Sequence, residues 1–363
     1  MKKSLLALAL MGAFSGAAFA QSSVVIYGIA DAGFQSLDNG AAAGKTSKIQ
    51  SGQESSSRLG FKGTEDLGGG LKANFVLEQG LNLDDGSSGQ GNRTFGRRST
   101  VGLAGDFGAV DLGRDKTPTF KFFDNFDPYA SGFINSGNGL SSLYFIGGTP
   151  TASTSNSSGR INNAIIYYTP GNLIGFYGVG AYGFGEVAGN NNIGRSMGLN
   201  AGYKAAGLDV GYSYAKDTSQ ATALTGSVVG KDGNTIAASY DFGMVKPVVI
   251  FQKVKGNSVG TIPAVDQKIF TIGATAPIDA SSKVIATYTK IKDSSLNSTN
   301  LAVAQTVGDA KQFSIGYQYA LSKRTDLYAA YAGTTQDVNS RQAGAAVAGA
   351  DVKELTFGIR HLF

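Results

Sequence analysis

Met197-Gly198-Leu199-Asn200-Ala201-Gly202-Tyr203-Lys204, a turn at Ala205-Ala206-Gly207, then Leu208-Asp209-Val210-Gly211-Tyr212-Ser213-Tyr214-Ala215: apolar and polar residues alternate, stop, and alternate again. Successive strand side chains point to opposite faces, so each half makes one apolar and one polar face. The alternation returns where Phe313, Ile315, Tyr317 and Tyr319 interleave with Gln312, Ser314, Gly316 and Gln318. It returns again where Leu71, Ala73, Phe75 and Leu77 interleave with Lys72, Asn74, Val76 and Glu78. One face of each segment suits lipid and the other suits water.

Such segments are joined by two kinds of connection. Tight turns read as Asp66-Leu67-Gly68-Gly69-Gly70, Asp106-Phe107-Gly108, Thr169-Pro170-Gly171, Asp241-Phe242-Gly243, Pro277-Ile278-Asp279 and Leu321-Ser322-Lys323. Long connections rich in Gly, Ser, Asn and Thr cover 37–53, 82–92, 186–194, 217–233, 256–266, 293–309 and 335–350. Short turns at one end and long loops at the other describe a transmembrane barrel. The spacing predicts sixteen strands, at 24–36, 54–65, 71–81, 94–105, 109–115, 162–169, 173–185, 195–204, 207–216, 234–242, 244–255, 267–276, 282–292, 311–320, 323–334 and 352–363. The expected fold is therefore all-β, an antiparallel transmembrane barrel whose first and last strands close on each other, because an open edge fails in lipid. Sixteen strands leave an aqueous lumen.

Residues 1–20 read as a secretory signal: Lys2 and Lys3, a short apolar core over Leu5–Met11, and a small-x-small site at Ala18-Phe19-Ala20. The remaining unit, 21–363, carries 29 basic and 26 acidic residues once Lys2 and Lys3 are removed, a formal charge of +3. That excess is too small and dispersed to suggest nucleic acid as a partner. With no cysteine, disulfides and thiolate metal sites are excluded. No cofactor or metal is expected, and no D-x-D-x-D-G calcium loop occurs.

One connection is different. Residues 115–159 hold no convincing strand, and their first part carries Phe120, Phe122, Phe123, Phe126, Tyr129 and Phe133, too aromatic for a solvated outer loop. Folded back into the lumen, those rings pack on the wall and narrow the pore.

Several motifs resemble Gram-negative general porins of the β-proteobacterial branch. They are Tyr27-Gly28-Ile29-Ala30-Asp31, the run from Ser57-Arg58-Leu59-Gly60-Phe61-Lys62 through Gly63-Thr64-Glu65-Asp66-Leu67-Gly68-Gly69-Gly70-Leu71, Val101-Gly102-Leu103 with Leu112-Gly113-Arg114, and the ending Phe357-Gly358-Ile359-Arg360-His361-Leu362-Phe363. The resemblance implies a homotrimer of sixteen-stranded barrels in the outer membrane, with an infolded third loop at the constriction. It implies passive passage of small hydrophilic solutes and ions, contact with lipid and lipopolysaccharide, and delivery by the barrel-assembly machinery. A basic wall facing acidic groups on the loop maps to Arg58, Arg97 and Arg160, with Arg98, Arg114 and Lys62 as further candidates. Strand parity does not decide which of Arg97 and Arg98 points inward. Many relatives carry Pro-Glu-Phe-Gly-Gly in the third loop, whereas here Pro128-Tyr129-Ala130-Ser131-Gly132 stands, leaving Asp124 and Asp127 as the acidic candidates. With the glutamate replaced, the constriction should lean positive and favour anions.

The terminal strand puts Phe357, Ile359, His361 and Phe363 on one face, which the resemblance reads as the assembly signal. A substrate-selective channel of the same fold is the alternative function, with the loop aromatics as a track. An outer-membrane enzyme is remote: His361 is the only histidine, and a catalytic role needs a nucleophile and an orienting acid beside it. Gly178-Val179-Gly180-Ala181-Tyr182-Gly183 matches a dinucleotide fingerprint, but the pattern continues as strand rather than helix.

Overall fold

The computed structural model describes residues 23–132, 159–186, 188–189, 191–192, 194–220, 228–256, 265–295, 308–340 and 345–363. The export segment 1–20 and Phe133 lie outside the described residues.

One closed antiparallel sheet makes up nearly all of the fold. Its first half comprises β1 (Ser23–Asp38), β2 (Thr46–Ser51), β3 (Arg58–Gly68), β4 (Leu71–Gly80), β5 (Arg98–Gly105), β6 (Gly108–Lys116), β7 (Arg160–Tyr168), β8 (Phe176–Gly183) and β9 (Ser196–Ala205). The second half comprises β10 (Leu208–Gln220), β11 (Val228–Tyr240), β12 (Lys246–Gly256), β13 (Val265–Pro277), β14 (Ser282–Asp293), β15 (Ala310–Ala320), β16 (Thr325–Gln336) and β17 (Val352–Leu362). β2 pairs with Ala32–Leu37 of β1 and β3 with Ser23–Ile29, so β2 and β3 are two halves of one strand and the barrel has sixteen. Closure is made by β1 and β17, in register from Ile29↔Leu362 to Asp38↔Lys353.

The split has a local cause. Between the two halves, Ala30 and Asp31 of β1 face six residues, 52–57, and the surplus forms an inward excursion. Asp31, fully buried, holds it: the N–H groups of Glu54 and Ser55 donate to Oδ2 at 2.9 and 2.5 Å. The Tyr328 hydroxyl donates to Oδ1 at 2.6 Å. Ser57 Oγ and the Gly52 N–H both donate to the Asp31 carbonyl, at 2.9 and 2.8 Å. The backbone groups that Asp31 loses from the ladder thus find partners, its own N–H donating to Ser57 Oγ at 3.1 Å, as burial demands.

The two faces of the sheet invert the usual globular arrangement. Val101, Leu112, Phe251, Phe270, Phe313 and Leu355 are exposed on the outside. Their alternates face inward and bond across strands: Gln252 to Thr235 at 3.0 Å, Thr271 with Thr289 at 2.8 Å, Thr287 with Ser314 at 2.6 Å and Gln312 to Thr334 at 2.9 Å. The turn Asp66–Gly70 closes as its residues require, with Asp66 Oδ1 accepting from the Gly68 N–H at 2.9 Å and positive φ at Gly68, Gly69 and Gly70.

Most strand limits fall within a few residues of the sequence spacing, with three differences. The expected loop at 37–53 contains β2, and the expected loop at 217–233 is shortened because β10 runs to Gln220 and β11 starts at Val228. β2 is polar but for Ile49, the β10 extension reads Asp217-Thr218-Ser219-Gln220, and the β11 extension sets Val228 and Val229 side by side before Gly230, Lys231 and Asp232, so none of them has a period-two apolar signal. The third loop, expected from 115, starts after Lys116 because β6 runs that far.

Phe363 completes the seam. Its N–H donates to the Gly28 carbonyl at 3.1 Å, the Gly28 N–H donates back to its carbonyl at 3.0 Å, and its ring fills the space over Gly28. Deleting Phe363 removes both bonds and that contact. Assembled barrel in outer-membrane extracts, read as the heat-modifiable band on gels, should fall several-fold; wild-type levels would count against this role.

Candidate pore constriction

The third loop opens with a helix, α1 (Pro118–Phe126). Thr117 caps it, its Oγ1 accepting from the Phe120 N–H at 3.1 Å, and Pro118 occupies the first turn, where a missing N–H costs nothing. Phe122, Phe123 and Phe126 are buried in one apolar cluster with Ala237, Val248, Ile250 and Ile269. Those four alternate with the exposed Ile236, Val249, Phe251 and Phe270, so they belong to the inner face of β11–β13. Thr119 bonds Ser213 at 2.9 Å, and Asn200 Nδ2 donates to the Pro118 carbonyl at 2.6 Å.

Three inward glycines make room for the chain that follows. A Cβ on Gly211 would stand 2.8 Å from Phe122 and 3.1 Å from Phe126, one on Gly273 would stand 2.9 Å from Pro128, and one on Gly316 would stand 3.0 Å from Tyr129. The loop thus runs along the inner wall from β10 to β15. Gly132 then abuts the Glu54 carbonyl so closely that no side chain fits there. Tyr129, at the position where relatives carry glutamate, is buried and donates to the Ile285 carbonyl at 3.3 Å. Burial pushes its phenol well above the ordinary tyrosine range, so it adds no charge to the lumen.

Opposite α1, β3 to β7 bring charged side chains together. Arg97, 3 % exposed, bonds Glu78 at 2.7 Å. The Tyr27 hydroxyl holds the other Glu78 oxygen at 3.0 Å. Arg98 reaches Asp111 at 2.6 Å and Asp115 at 3.4 Å. Asp115 also takes Lys121 of α1 at 2.8 Å and the Tyr168 hydroxyl at 2.8 Å. Lys116 pairs with Asp124 at 2.5 Å. Arg160 donates to the Arg97 carbonyl at 3.0 Å and lies 5.6 Å from the Phe120 ring centre. Arg58 donates to the Ser56 carbonyl at 2.9 Å and to Ser55 Oγ at 3.1 Å, near Arg97, Glu78 and Asp124.

The pairs differ in weight. Breaking a buried pair such as Arg97–Glu78 costs about 3–5 kcal/mol, because a desolvated charge is left behind. Lys116 and Asp124 keep 23 % and 30 % of their side-chain surface exposed, and a pair of that kind contributes about 1 kcal/mol or less. The first therefore holds the wall far more firmly than the second.

The sequence candidates distribute as follows. Arg58, Arg97, Arg98 and Arg160 come together, and Asp124 meets them from the loop. Lys62 lies on the same face of β3, exposed, 5.3 Å from the Tyr27 ring centre. Arg114 does not join: it pairs in register with Ser99, on the side of Leu112, and bonds the Gly96 carbonyl at 2.7 Å and Asn162. A register shift between Gly113 and Asp115 accompanies that placement. Asp127 caps its own loop, accepting from the Tyr129 and Ser131 N–H groups, both at 3.1 Å. His361 contacts Thr325 at 2.8 Å on the outer side of β17. The sequence reading passed over Glu78, Asp111, Asp115, Lys116 and Lys121. Glu78 had a legible signal, since it occupies the polar face of an alternating strand beside the face of Arg58.

Gly211→Leu drives a side chain into Phe122 and Phe126 and should lift α1 from the wall. Single-channel conductance in planar bilayers should then change by about 1.5-fold or more with noisier open states, since the loop narrows the passage; an unaltered, quiet conductance would refute this packing as what holds the loop.

Comparison with known proteins agrees with this geometry. The profile of the Gram-negative porin family matches residues 7–358. Outer membrane porin protein 32 of Delftia acidovorans is 35 % identical over 380 residues, covering 100 % of both chains. An outer membrane porin of Bordetella pertussis is 32 % identical, covering 91 % of this chain and 93 % of its own. The solved anion-selective porin from Comamonas acidovorans superposes with a TM-score of 0.77 at 31 % identity, covering 94 % of this chain and all of that one. A closed sixteen-stranded sheet, a polar interior, a clustered charged wall and full-length similarity lead to one conclusion: the chain belongs to the Gram-negative porin family and forms a diffusion channel in the outer membrane.

Proposed function

We propose that this channel favours small anions, and that its constriction lies between the loop beginning at Thr117 and the wall built by β3–β7. The observation that carries the reading is the local balance of charge. Arg58, Arg97, Arg98, Lys116, Lys121 and Arg160 meet Glu78, Asp111, Asp115 and Asp124, six cations against four carboxylates. The rest of the loop, 133–158, contains no Asp, Glu, Lys or Arg, so it cannot reverse that excess. Arg58 and Arg160 donate to neutral oxygens, and their charge stays available to a permeating ion. The anion selectivity named for the Comamonas protein supports the same direction.

In the same reading, residues 1–20 direct export and are removed, three copies assemble, and the C-terminal face of Phe357, Ile359, His361 and Phe363 is read by the assembly machinery. The long-loop end faces the cell exterior, amid lipopolysaccharide. Passage is passive, the solutes are small and hydrophilic, and no chemistry on them is proposed.

Planar-bilayer recording under a KCl gradient tests the core of this. The reversal potential should report chloride preference, and Arg58→Gln with Arg160→Gln should lower the chloride-to-potassium permeability ratio by about twofold or more at low salt, where screening is weak. Cation selectivity in the unmodified channel would overturn the reading. Glu78→Gln acts in the other direction, raising chloride preference while lowering the barrel's resistance to heat, because Arg97 loses its partner; the same recording and a thermal gel-shift series read both effects.

A further inference from the structure

Arg58 is the first residue of β3, and its direction is set by the two residues of the excursion nearest to it that offer oxygens. Its Nε donates to the Ser56 carbonyl at 2.9 Å and its Nη2 to Ser55 Oγ at 3.1 Å. Among the described residues no carboxylate lies within ion-pair distance of it. A guanidinium on a long stem has many rotamers, so those two oxygens select the one it keeps.

The oxygens are only as fixed as the excursion that carries them. Residues 52–57 lie outside the ladder, between the pairings of β2 and of β3 with β1. Among the described residues Ser55 is held through its backbone only at its N–H, by Asp31 Oδ2 at 2.5 Å. The Glu54 N–H reaches the same oxygen at 2.9 Å. Ser57 Oγ donates to the Asp31 carbonyl at 2.9 Å, so Ser56 stands between two residues bonded to Asp31. Glu54 has further support, since Gln318 Nε2 donates to its Oε1 at 2.5 Å and Arg360 lies 3.3 Å from it. Ser55 has none of this. The path from Asp31 to Arg58 is therefore two hydrogen bonds long and passes through Ser55.

The Asp31 carboxylate is itself aimed from across the seam. Tyr328 of β16 opposes Gly358 of β17, which opposes Gly33 of β1. Its ring lies over both glycines: a Cβ on Gly33 would stand 2.7 Å from the hydroxyl, and one on Gly358 would collide with it. The hydroxyl then donates to Asp31 Oδ1 at 2.6 Å. With Oδ1 held, Oδ2 faces the two N–H groups, and a charged acceptor bonds about twice as strongly as a neutral one. Asp31 is fully buried, so a permeating ion does not touch it.

We propose that Asp31 is a positioning residue for ion passage: through Ser55 and Ser56 it fixes the Arg58 guanidinium in the constriction. The proposal rests on the reading that Arg58 acts on permeating ions. The two fail separately, because the chemical reactivity of Arg58 reads its placement and the reversal potential reads its effect. The sign of that effect also distinguishes positioning from proximity. Loss of a negative charge beside the lumen raises chloride preference, whereas release of Arg58 lowers it.

The test uses the full barrel purified in detergent. Arginine modification by p-hydroxyphenylglyoxal is mapped by peptide mass spectrometry, and planar-bilayer recording under a KCl gradient gives selectivity. Asp31→Asn and Ser55→Ala should each speed modification of Arg58 about twofold or more and lower the chloride-to-potassium permeability ratio by about 1.5-fold. Arg324, exposed in the turn between β15 and β16, should react as in wild type. Ser55→Thr keeps the hydroxyl and should match wild type in both readouts. In an Arg58→Gln background, Asp31→Asn should no longer lower the ratio. Tyr328→Phe keeps the ring and frees only Oδ1; it carries the test if the Asp31→Asn barrel does not assemble, and should speed Arg58 modification by about 1.5-fold. Wild-type reactivity of Arg58 in Asp31→Asn, or in Tyr328→Phe where that barrel is absent, overturns the proposal, and a raised chloride ratio beside it marks Asp31 as a nearby charge only. Faster modification with an unchanged ratio upholds the positioning and overturns the reading that Arg58 sets ion preference.

Discussion

Lipid offers backbone groups no hydrogen bonds, and that constraint shapes everything else here. A spanning strand must be paired on both edges, so the sheet has to close, and β1 meets β17 along ten consecutive residues. Closure gives each strand a lipid side and a lumen side. It explains why Phe251 and Phe270 can stand exposed while Gln252 and Thr271 are enclosed. It also limits where a strand can break. The excursion at 52–57 is tolerated because Asp31 and Ser57 replace the lost ladder bonds one by one.

Within the closed wall, the lumen face is not uniform. Under the rings of α1 the inward residues are Ala237, Val248, Ile250, Ile269 and Gly211, with Ser213 and Asn200 beside them, whereas on β5 and β6 they include Arg98, Asp111 and Asp115. The loop is held by shape, through rings and a proline over missing Cβ atoms, and through a few polar contacts such as Thr119 with Ser213. Its charged residues, Lys121 and Asp124, face the wall of β6. The same segment therefore carries one side that packs on β10–β15 and one side that pairs with the charged wall.

Much of this was legible in the residues. Alternation at Met197–Ala215 fixed strand type, and turn chemistry such as Asp66–Gly70 fixed where pairs of strands reverse. Motif position named Arg58, Arg97, Arg98 and Arg160 as candidates, and these four side chains lie together. What escaped has physical reasons. β2 and the far end of β10 are almost wholly polar, and the far end of β11 pairs two adjacent valines with glycine and charge, so no alternation marks them as strand. The dock of α1 did leave a trace, because Val248-Val249-Ile250-Phe251 is apolar at four successive positions, the sign of a strand covered on both sides. Arg114 was taken from motif position, whereas alternation along β6 already sets it on the side of Leu112, away from the inward Asp111 and Asp115. Asp127 looked like a pore acid, yet an aspartate followed by a tight turn satisfies its own backbone first.

Net charge cannot be the source of ion preference in such a channel. Residues 21–363 carry only three positive charges in excess, spread over 343 residues, and at physiological salt each is screened within about 8 Å. Only charges within that distance of the path act on an ion, and in the proposed constriction the wall of β3–β7 comes inside it. Pairing then sets the remainder: Glu78 and Asp111 cancel arginines whose role is to hold the wall, while Arg58 and Arg160, bonded to neutral oxygens, keep their field. Five lysines on β12–β15, Lys253, Lys268, Lys290, Lys292 and Lys311, project from the outer face, and the wall stands between them and the lumen. One composition thus supports two separate electrostatic surfaces, and the alternation of strand side chains is what keeps them apart.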